Sequence, residues 1–466
     1  MIAGPRAGET KIYWDILEVR RVKGEVRKKA RNEGRPGYKK TRVGWIPKGW
    51  ACVKFVDVSK LVRGPFGGAL KKEIFVPSGY KVYEQQHAIY GDFNAGEYFI
   101  DEENYNRLKR FALQPGDIIM SCSGTAGCFA IFPPNANPGV INQALLKVRP
   151  QRRIITINFL YYFLNSQYFQ RNLFADFAGG AIKNIAGMPI IKKIPIPLPP
   201  LPEQKKIAEI LSAWDRAIEQ VGKLIDAKQR LKKGLMQQLL TGRMRFPEFN
   251  HETHERHEKD KGELPVGWKA CKLGACFKER KETNPDLPLL AITSDRGVIP
   301  RDEVERKDTS NADKSKYKRI APGDIGYNTM RMWQGVSAVS TLEGIVSPAY
   351  TICTPRKGHS SSFFGYLFKY PPMIHLFHRF SQGLVSDTLN LKFRHLSQVK
   401  ANVPSETEQT RIAAVLSACD RGIDLLKKKQ EKLRKQIKGL MQKLLTGEVR
   451  HPKFLKDEPG GPNNET

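Results

Sequence analysis

The chain carries nearly the same stretch twice. Residues 203–249 read EQKKIAEILSAWDRAIEQVGKLIDAKQRLKKGLMQQLLTGRMRFPEF, and residues 408–454 read EQTRIAAVLSACDRGIDLLKKKQEKLRKQIKGLMQKLLTGEVRHPKF. They align without a gap at an offset of 205. Glu203 matches Glu408, Asp215 matches Asp420, Gly242 matches Gly447, and nearly half the positions are identical. A long internal repeat constrains the architecture before any local pattern is considered.

Each copy has a helical period. In the second, apolar residues recur at Ile412, Leu416, Cys419, Ile423 and Leu426, and resume at Leu433, Ile437, Leu440 and Leu444. Steps alternating four and three form a coiled-coil seam. The first copy runs Ile207, Leu211, Trp214, Ile218, Val221, Ile225, then Leu235 and Leu239, with Lys228 and Lys232 replacing apolar residues, so looser packing is expected there. Cys419 reads as a small core residue on the seam. Thr241-Gly242 and Thr446-Gly447 predict helix ends in left-handed geometry. Pro202 is expected just before the first helix, and Ser405 as the N-cap of the second. About 39 residues at 1.5 Å each make a rod of roughly 58 Å. One rod exposes an apolar stripe, whereas two in one chain bury each other's.

Shorter matches extend the repeat. GVINQALLKVRP (139–150) aligns with GIVSPAYTICTP (344–355), Pro115-Gly116-Asp117-Ile118 with Pro322-Gly323-Asp324-Ile325, and Pro47-Lys48-Gly49-Trp50 with Pro265-Val266-Gly267-Trp268. Short β-rich runs at 53–58, 118–121, 130–132 and 143–148, with helices at 160–164 and 363–367, make the globular parts α+β. The expected order is a basic extension (1–43), a first globular domain (44–200), a helix (201–246) and a polar linker (247–261). A second globular domain (262–402), a second helix (403–449) and a tail (450–466) follow, the tail expected to be disordered from Asp457. The globular parts share motifs but differ elsewhere, which suggests two modules performing one task on different targets.

A formal charge of +31 and a pI of about 9.8 point to nucleic acid or an anionic membrane as partner. No run of 18 apolar residues occurs and the opening MIAGPRAGETKIYWDI has no signal-peptide core, so a cytoplasmic, non-membrane protein is expected. Seven cysteines without a CxxC pair fit a reducing compartment. The dense basic run at 20–42 reads either as a phosphate-binding arm or as a solvated extension.

Catalytic signatures are weak. There is no Walker GxxxxGK[ST] loop, and Phe132-Pro133-Pro134-Asn135 has its prolines in the wrong frame for an adenine methyltransferase loop. Pro285-Asp286 with Glu305-Arg306-Lys307 imitates a nuclease triad, but that chemistry needs both carboxylates on adjacent strands sharing a metal. His251, His254 and His257 lie in a polar stretch and read as linker, so no catalytic residue and no metal site is expected; the alternative is a stand-alone nuclease or methyltransferase with an unrecognised site.

DNA-reading chemistry is better represented. Each GDI run leads into a strand, followed by a loop of Gly and hydrogen-bonding side chains. In the first half this loop holds Ser121, Ser123 and Thr125; in the second, Asn328, Arg331, Trp333 and Gln334. Arg and Gln make bidentate contacts to guanine and adenine in the major groove, while Ser, Thr and Asn serve bases or phosphates. Asn142, Gln143, Lys183, Asn184, Lys314 and Lys316 complete the candidate contacts.

The runs PLPPLPEQKKIAEIL (197–211), GLMQQLLTG (234–242), GLMQKLLTG (439–447), YKRIAPGDIGYNTMRMWQGVSAVSTLEGIVSPAY (317–350) and ELPVGWKACKLG (263–274) make the chain similar to specificity subunits of type I restriction–modification systems. The resemblance covers roughly residues 44–454, and the basic segment before Gly44 departs from it. It implies two target-recognition domains, each reading half of a split double-stranded DNA site, joined by two conserved helices packed antiparallel as a coiled-coil spacer with pseudo-two-fold symmetry. It further implies docking of two methyltransferase subunits on those helices, restriction/translocase subunits joining that core, and no active site in this subunit. No cofactor is expected here, with S-adenosylmethionine on the methyltransferase and ATP and Mg on the restriction partner. Arg216 and Arg421, off the seam at equivalent places, are the candidate docking residues. Duplex DNA has dyads perpendicular to its axis, so two related modules on one duplex call for an approximate two-fold relation and antiparallel helices.

Overall fold

The computed structural model describes residues 36–174, 185–249, 264–305, 310–385 and 388–455. Most of the basic extension, Lys183, Asn184, the linker histidines, Arg306, Lys307 and the end of the tail lie outside them. The chain divides into two compact units, residues 1–220 with 430–466, and residues 221–429. The division falls within both long helices, Leu201–Leu239 and Glu406–Leu445. Each unit thus combines one globular part with the opening half of one repeat helix and the closing half of the other.

In the first unit an antiparallel sheet has the order Ser59–Arg63, Leu145–Pro150, Ile118–Ser121, Phe129–Ile131. Its apolar face packs on the helices Ile157–Leu164 and Gln167–Leu173 through Ile118, Met120, Leu146, Val148, Phe159 and Phe163. A second four-stranded sheet pairs Gly139–Ile141 in parallel with Tyr80–Tyr83 and adds Phe99–Ile100 and Phe75–Val76. In the second unit the corresponding sheet is Phe277–Glu279, Tyr350–Pro355, Ile325–Asn328, Ser337–Val339, packed on the helices Ser361–Leu367 and Pro371–Phe380. The α+β expectation holds. Residues 55–58, expected as strand, form a helical turn after the strand Ala51–Lys54. Phe55 and Val58, three apart, both turn into the core, which a strand would not allow.

Within each unit the two long helices run antiparallel. Ile207, Ala208 and Leu211, near the start of the first, pack in one core with Ile437, Leu440, Leu444 and Leu445 at the end of the second. Ile412, Ala413 and Leu416 pack likewise with Leu235, Leu239 and Leu240 in the second unit. Trp214, Ile218, Cys419 and Leu426 are half-buried, and Lys228 is exposed, as its polar place on the seam predicts. Ser405 accepts the Glu408 N–H as expected of an N-cap. Pro202 lies inside the first turn of its helix rather than before it, where a missing N–H leaves no bond unmade.

The repeat's identical polar residues bond to one another across copies. Glu203 is buried and accepts both Nε (2.8 Å) and Nη2 (3.0 Å) of Arg450, together with the Trp50 indole N–H at 2.9 Å. In the second unit Glu408 accepts Nε (2.9 Å) and Nη2 (2.8 Å) of Arg245. Gln204 accepts the Thr156 N–H and donates to Ile154 and Pro199 carbonyls; Gln409 does the same with Ser360, Gly358 and Pro404. Tyr162 donates to Asp215 and Tyr366 to Asp420, each at 2.8 Å. Burial, then the bond to aspartate, pushes both phenols well above their ordinary range, so both stay neutral donors.

The shorter motifs have equally local reasons. Gly242 (φ 70°) and Gly447 (φ 69°) end the helices in left-handed geometry. A Cβ there would lie 2.6 Å from Pro265 and 2.4 Å from Pro47, so each Thr-Gly end seats on a PxGW turn of its own unit. In the PGDI runs, Asp117 accepts the Gln114 N–H and a bidentate Arg149, and Asp324 accepts the Ala321 N–H and a bidentate Arg280.

Two outcomes follow. Removing one partner of a buried pair strands a charge, so Arg450→Ala and Arg245→Ala should each destabilise their own unit by about 3–5 kcal/mol. Replacing both partners, Glu203→Leu with Arg450→Met, should recover part of that loss. Urea unfolding, with hydrogen exchange to locate the weakened unit, measures this. Separately, Gly234 and Gly439 sit in the helices with open space around them. Gly→Ala at either should stabilise by about 0.5–1 kcal/mol, whereas at Gly242 or Gly447 it should destabilise by more than about 1 kcal/mol; thermal melts of the four variants decide the signs.

Candidate nucleic-acid interface

Both main sheets end in a cluster of loops at the same place. In the first unit Ser121, opposite Leu145, closes its strand and opens the loop to Gly127. The Cys122 N–H donates to the Ala144 carbonyl at 2.8 Å, joining that loop to Asn142-Gln143-Ala144. In the second unit Asn328, opposite Tyr350, opens the loop to Gly335, and the Thr329 N–H donates to the Ala349 carbonyl at 3.2 Å. The backbone junction is repeated while the side chains differ, as modules with separate targets require.

The candidate residues within each cluster have different environments. Ser123, Thr125 and Gln143 are exposed. Ser121 is buried; its hydroxyl donates to the Thr125 carbonyl and accepts the Cys128 N–H, which holds the loop closed. Asn142 caps the Ala144 N–H. In the second unit Arg331 and Gln334 are exposed, with Arg331 Nη1 3.4 Å from Gln334 Oε1, so the two present one polar edge. The Trp333 indole donates to the Met330 carbonyl and its ring stands edge-on to His378. Asn328 accepts the Met330 N–H. Lys316 is exposed and borders a cleft of about 680 Å³ that also includes Asn328, Arg301, Asn311 and Tyr350. Lys314 is turned inward, donating to Ser310 and the Asn311 carbonyl over the Tyr317 ring. The structure thus groups Ser123, Thr125 and Gln143 in one cluster, and Asn328, Arg331, Gln334 and Lys316 in the other.

Sequence reading missed the apolar members. Phe66 is 78% exposed on the loop after the strand Ser59–Arg63, against Asn142; Met330 and Leu384 are exposed around the second cluster. A glycine-rich GPFGG run holding one aromatic was the available signal. Asp286 and Glu305 are both exposed and lie in turns rather than on adjacent strands, which is not the geometry of a shared metal site. Among the described residues no group of three or more His, Cys, Asp or Glu side chains could hold a metal ion, and no helix is long and apolar enough to cross a membrane.

The family model of the type I restriction modification DNA specificity domain matches residues 47–229. A Methanocaldococcus jannaschii protein that bears the name of the MjaX type I restriction enzyme specificity subunit is 27% identical over 435 residues, covering 89% of this chain and 96% of its own. The MjaVIII type I restriction enzyme specificity subunit of the same organism is 26% identical over 426 residues, covering 87% and 94%.

In sequence the chain is similar to the specificity subunits of type I restriction–modification systems.

A solved chain from work on "complex assembly and conformational transition of the type I R-M system" has the same fold, with a TM-score of 0.55 at 19% identity over 87% of this chain and 99% of that one. The similarity to a DNA specificity domain directs attention to the loop clusters. Arg331→Ala should relax discrimination at one base position, at a cost of roughly 1–3 kcal/mol if the contact is bidentate. Lys316→Ala should weaken all duplexes alike and flatten the salt dependence. Duplex selection from a randomised pool, followed by titration at several salt concentrations, separates the two behaviours.

Proposed function

We propose that this specificity subunit reads a bipartite double-stranded DNA site, one loop cluster per half-site, and performs no chemistry itself. The observation carrying this reading is the repeated junction, Cys122 to Ala144 and Thr329 to Ala349, which presents different side chains from the same end of two equivalent sheets. The +31 charge supplies the sequence-independent attraction to phosphate.

Two methyltransferase subunits dock on the repeat helices, and restriction/translocase subunits join that core in the cytoplasm. Arg216 and Arg421 support equivalent docking places, because both are exposed and each donates to the serine one turn earlier, Ser212 and Ser417. S-adenosylmethionine binds the methyltransferase, ATP and Mg bind the restriction subunit, and no cofactor binds this chain.

The test is a module exchange. Replacing residues 262–402 with the equivalent part of another specificity subunit, in the assembled methyltransferase, should change one half-site of the methylated sequence and leave the other. Sequencing of methylated adenines in the host genome reads both halves at once; a change in both would overturn independent reading.

A further inference from the structure

We propose that Phe66 inserts between bases of the half-site read by the first unit; the inference rests on the DNA-reading function above and assigns a stacking role to a residue outside the hydrogen-bonding set. The ring is 78% exposed, although a phenylalanine ordinarily seeks burial. Single exposed apolar residues are common on protein surfaces, so exposure alone decides nothing. Its mounting is what distinguishes it.

The loop that carries Phe66 is fixed on both sides. Gly64 and Pro65 are buried, and the Gly64 N–H donates to the Leu145 carbonyl at 2.9 Å. A Cβ on Gly64 would lie 1.8 Å from the Asn142 carbonyl oxygen, so only glycine allows the loop to be clamped against the Asn142-Gln143 loop. On the far side Ala69 and Leu70 pack into a small core around Val82, Ile100, Leu108 and Val140. Phe66 therefore stands at the crest of an anchored loop, with its rotamer freedom the main freedom left to lose on binding.

Its neighbours suit a polyanion. Lys71 and Lys72 are exposed on the same segment, and Arg63 stands at its root beside the Cys122 thiol. Gln143 is exposed on the loop against which this one is clamped, and Ser123 and Thr125 are exposed on the loop joined to it through Cys122 and Ala144. An exposed aromatic ring amid cations and hydrogen-bonding side chains suits a base stack, with phosphates met by the cations and the ring by the faces of bases. The second unit has exposed apolar side chains at its own cluster, Met330 at 47% and Leu384 fully exposed, and the Leu391 N–H after the Leu384 loop donates to the Thr329 carbonyl. Each cluster thus pairs polar readers with an apolar tip, and the tips differ between units as the readers do.

The experiment uses the full chain with its methyltransferase partner. Duplexes selected from a randomised pool define the bound motif, and permanganate, which oxidises unstacked thymines, reports base-stack disruption on them. With the natural chain, reactive thymines are expected in the first half-site. Phe66→Ala should remove that reactivity and weaken binding roughly ten- to hundredfold, as expected for one lost base–aromatic stack. Second-half-site preferences should be unchanged, and Phe66→Trp should restore the reactivity. Thermal melting of Phe66→Ala should match the natural chain, because the ring lies outside every core. Binding within twofold with an unchanged thymine pattern would overturn the proposal while leaving DNA recognition intact. Loss of methyltransferase co-purification with DNA binding unchanged would overturn it in favour of a protein contact. Failure of the natural complex to select any duplex would instead overturn the DNA reading on which the proposal rests.

Discussion

Everything else in this fold depends on the buried carboxylates that open the two repeat helices. Glu203 and Glu408 are each 2% exposed at the side chain, and an unpaired carboxylate there would be prohibitively unfavourable. Each is held by the arginine that follows the end of the other copy's helix, Arg450 and Arg245. Apolar seams fix neither direction nor register well, because one leucine contact resembles the next. A bidentate guanidinium–carboxylate pair has a single geometry. Placed where one helix begins and the other ends, two such pairs permit only the antiparallel arrangement in each unit. The seam in between can then tolerate Lys228 and Lys232 without losing register.

From those anchors the order extends outward. Gln204 and Gln409, next in sequence to the carboxylates, bind the first turns of Ile157–Leu164 and Ser361–Leu367, and so fix the helices that underlie each sheet. Tyr162 and Tyr366 return bonds from those helices to Asp215 and Asp420. The Thr-Gly ends seat the PxGW turns. The sheets are thereby held in place, and the loop clusters stand at one end of each with Ser123, Thr125, Gln143, Arg331 and Gln334 exposed. Residues repeated between the copies hold much of the scaffold, while the side chains at the free ends differ.

Legibility in the sequence followed the same division. The long helices, their caps at Ser405, Gly242 and Gly447, the strand after each PGDI run and the polar gap at Lys228 were readable, because each depends on neighbours in sequence. The Glu203–Arg450 and Glu408–Arg245 pairs were visible only as identical letters, since nothing local says that they meet across copies. The PGDI aspartates show why such partners escape: Asp117 takes Arg149, but the residue equivalent to Arg149 is Thr354, and Asp324 takes Arg280, just after the strand Phe277–Glu279, as well as the Thr354 hydroxyl. Within the candidate site, residue type located the loops but not the orientation of each side chain. Ser121 and Lys314 turned inward to hold their own loops, while Phe66 turned outward against its hydropathy, and both outcomes depend on tertiary contacts.

A homodimer of a single module could form the same reciprocal pairs, since a two-fold interface matches residue i with j and j with i. Its two reading surfaces would then be identical, and its target would have to be a palindrome. Duplication within one chain removes that restriction while keeping the exchange of anchors. The effect is visible at the aspartates: Asp420 is bonded by Tyr366 and by Lys232 at 2.5 Å, whereas the residue equivalent to Lys232 in the other copy is Ile437, which packs in the core near Asp215's unit. One position has become a salt bridge in one unit and a hydrophobic contact in the other, and the antiparallel pairing survives because Glu203 and Glu408 still define it. The same freedom, exercised at the exposed side chains of the loop clusters, allows one scaffold to present two different surfaces.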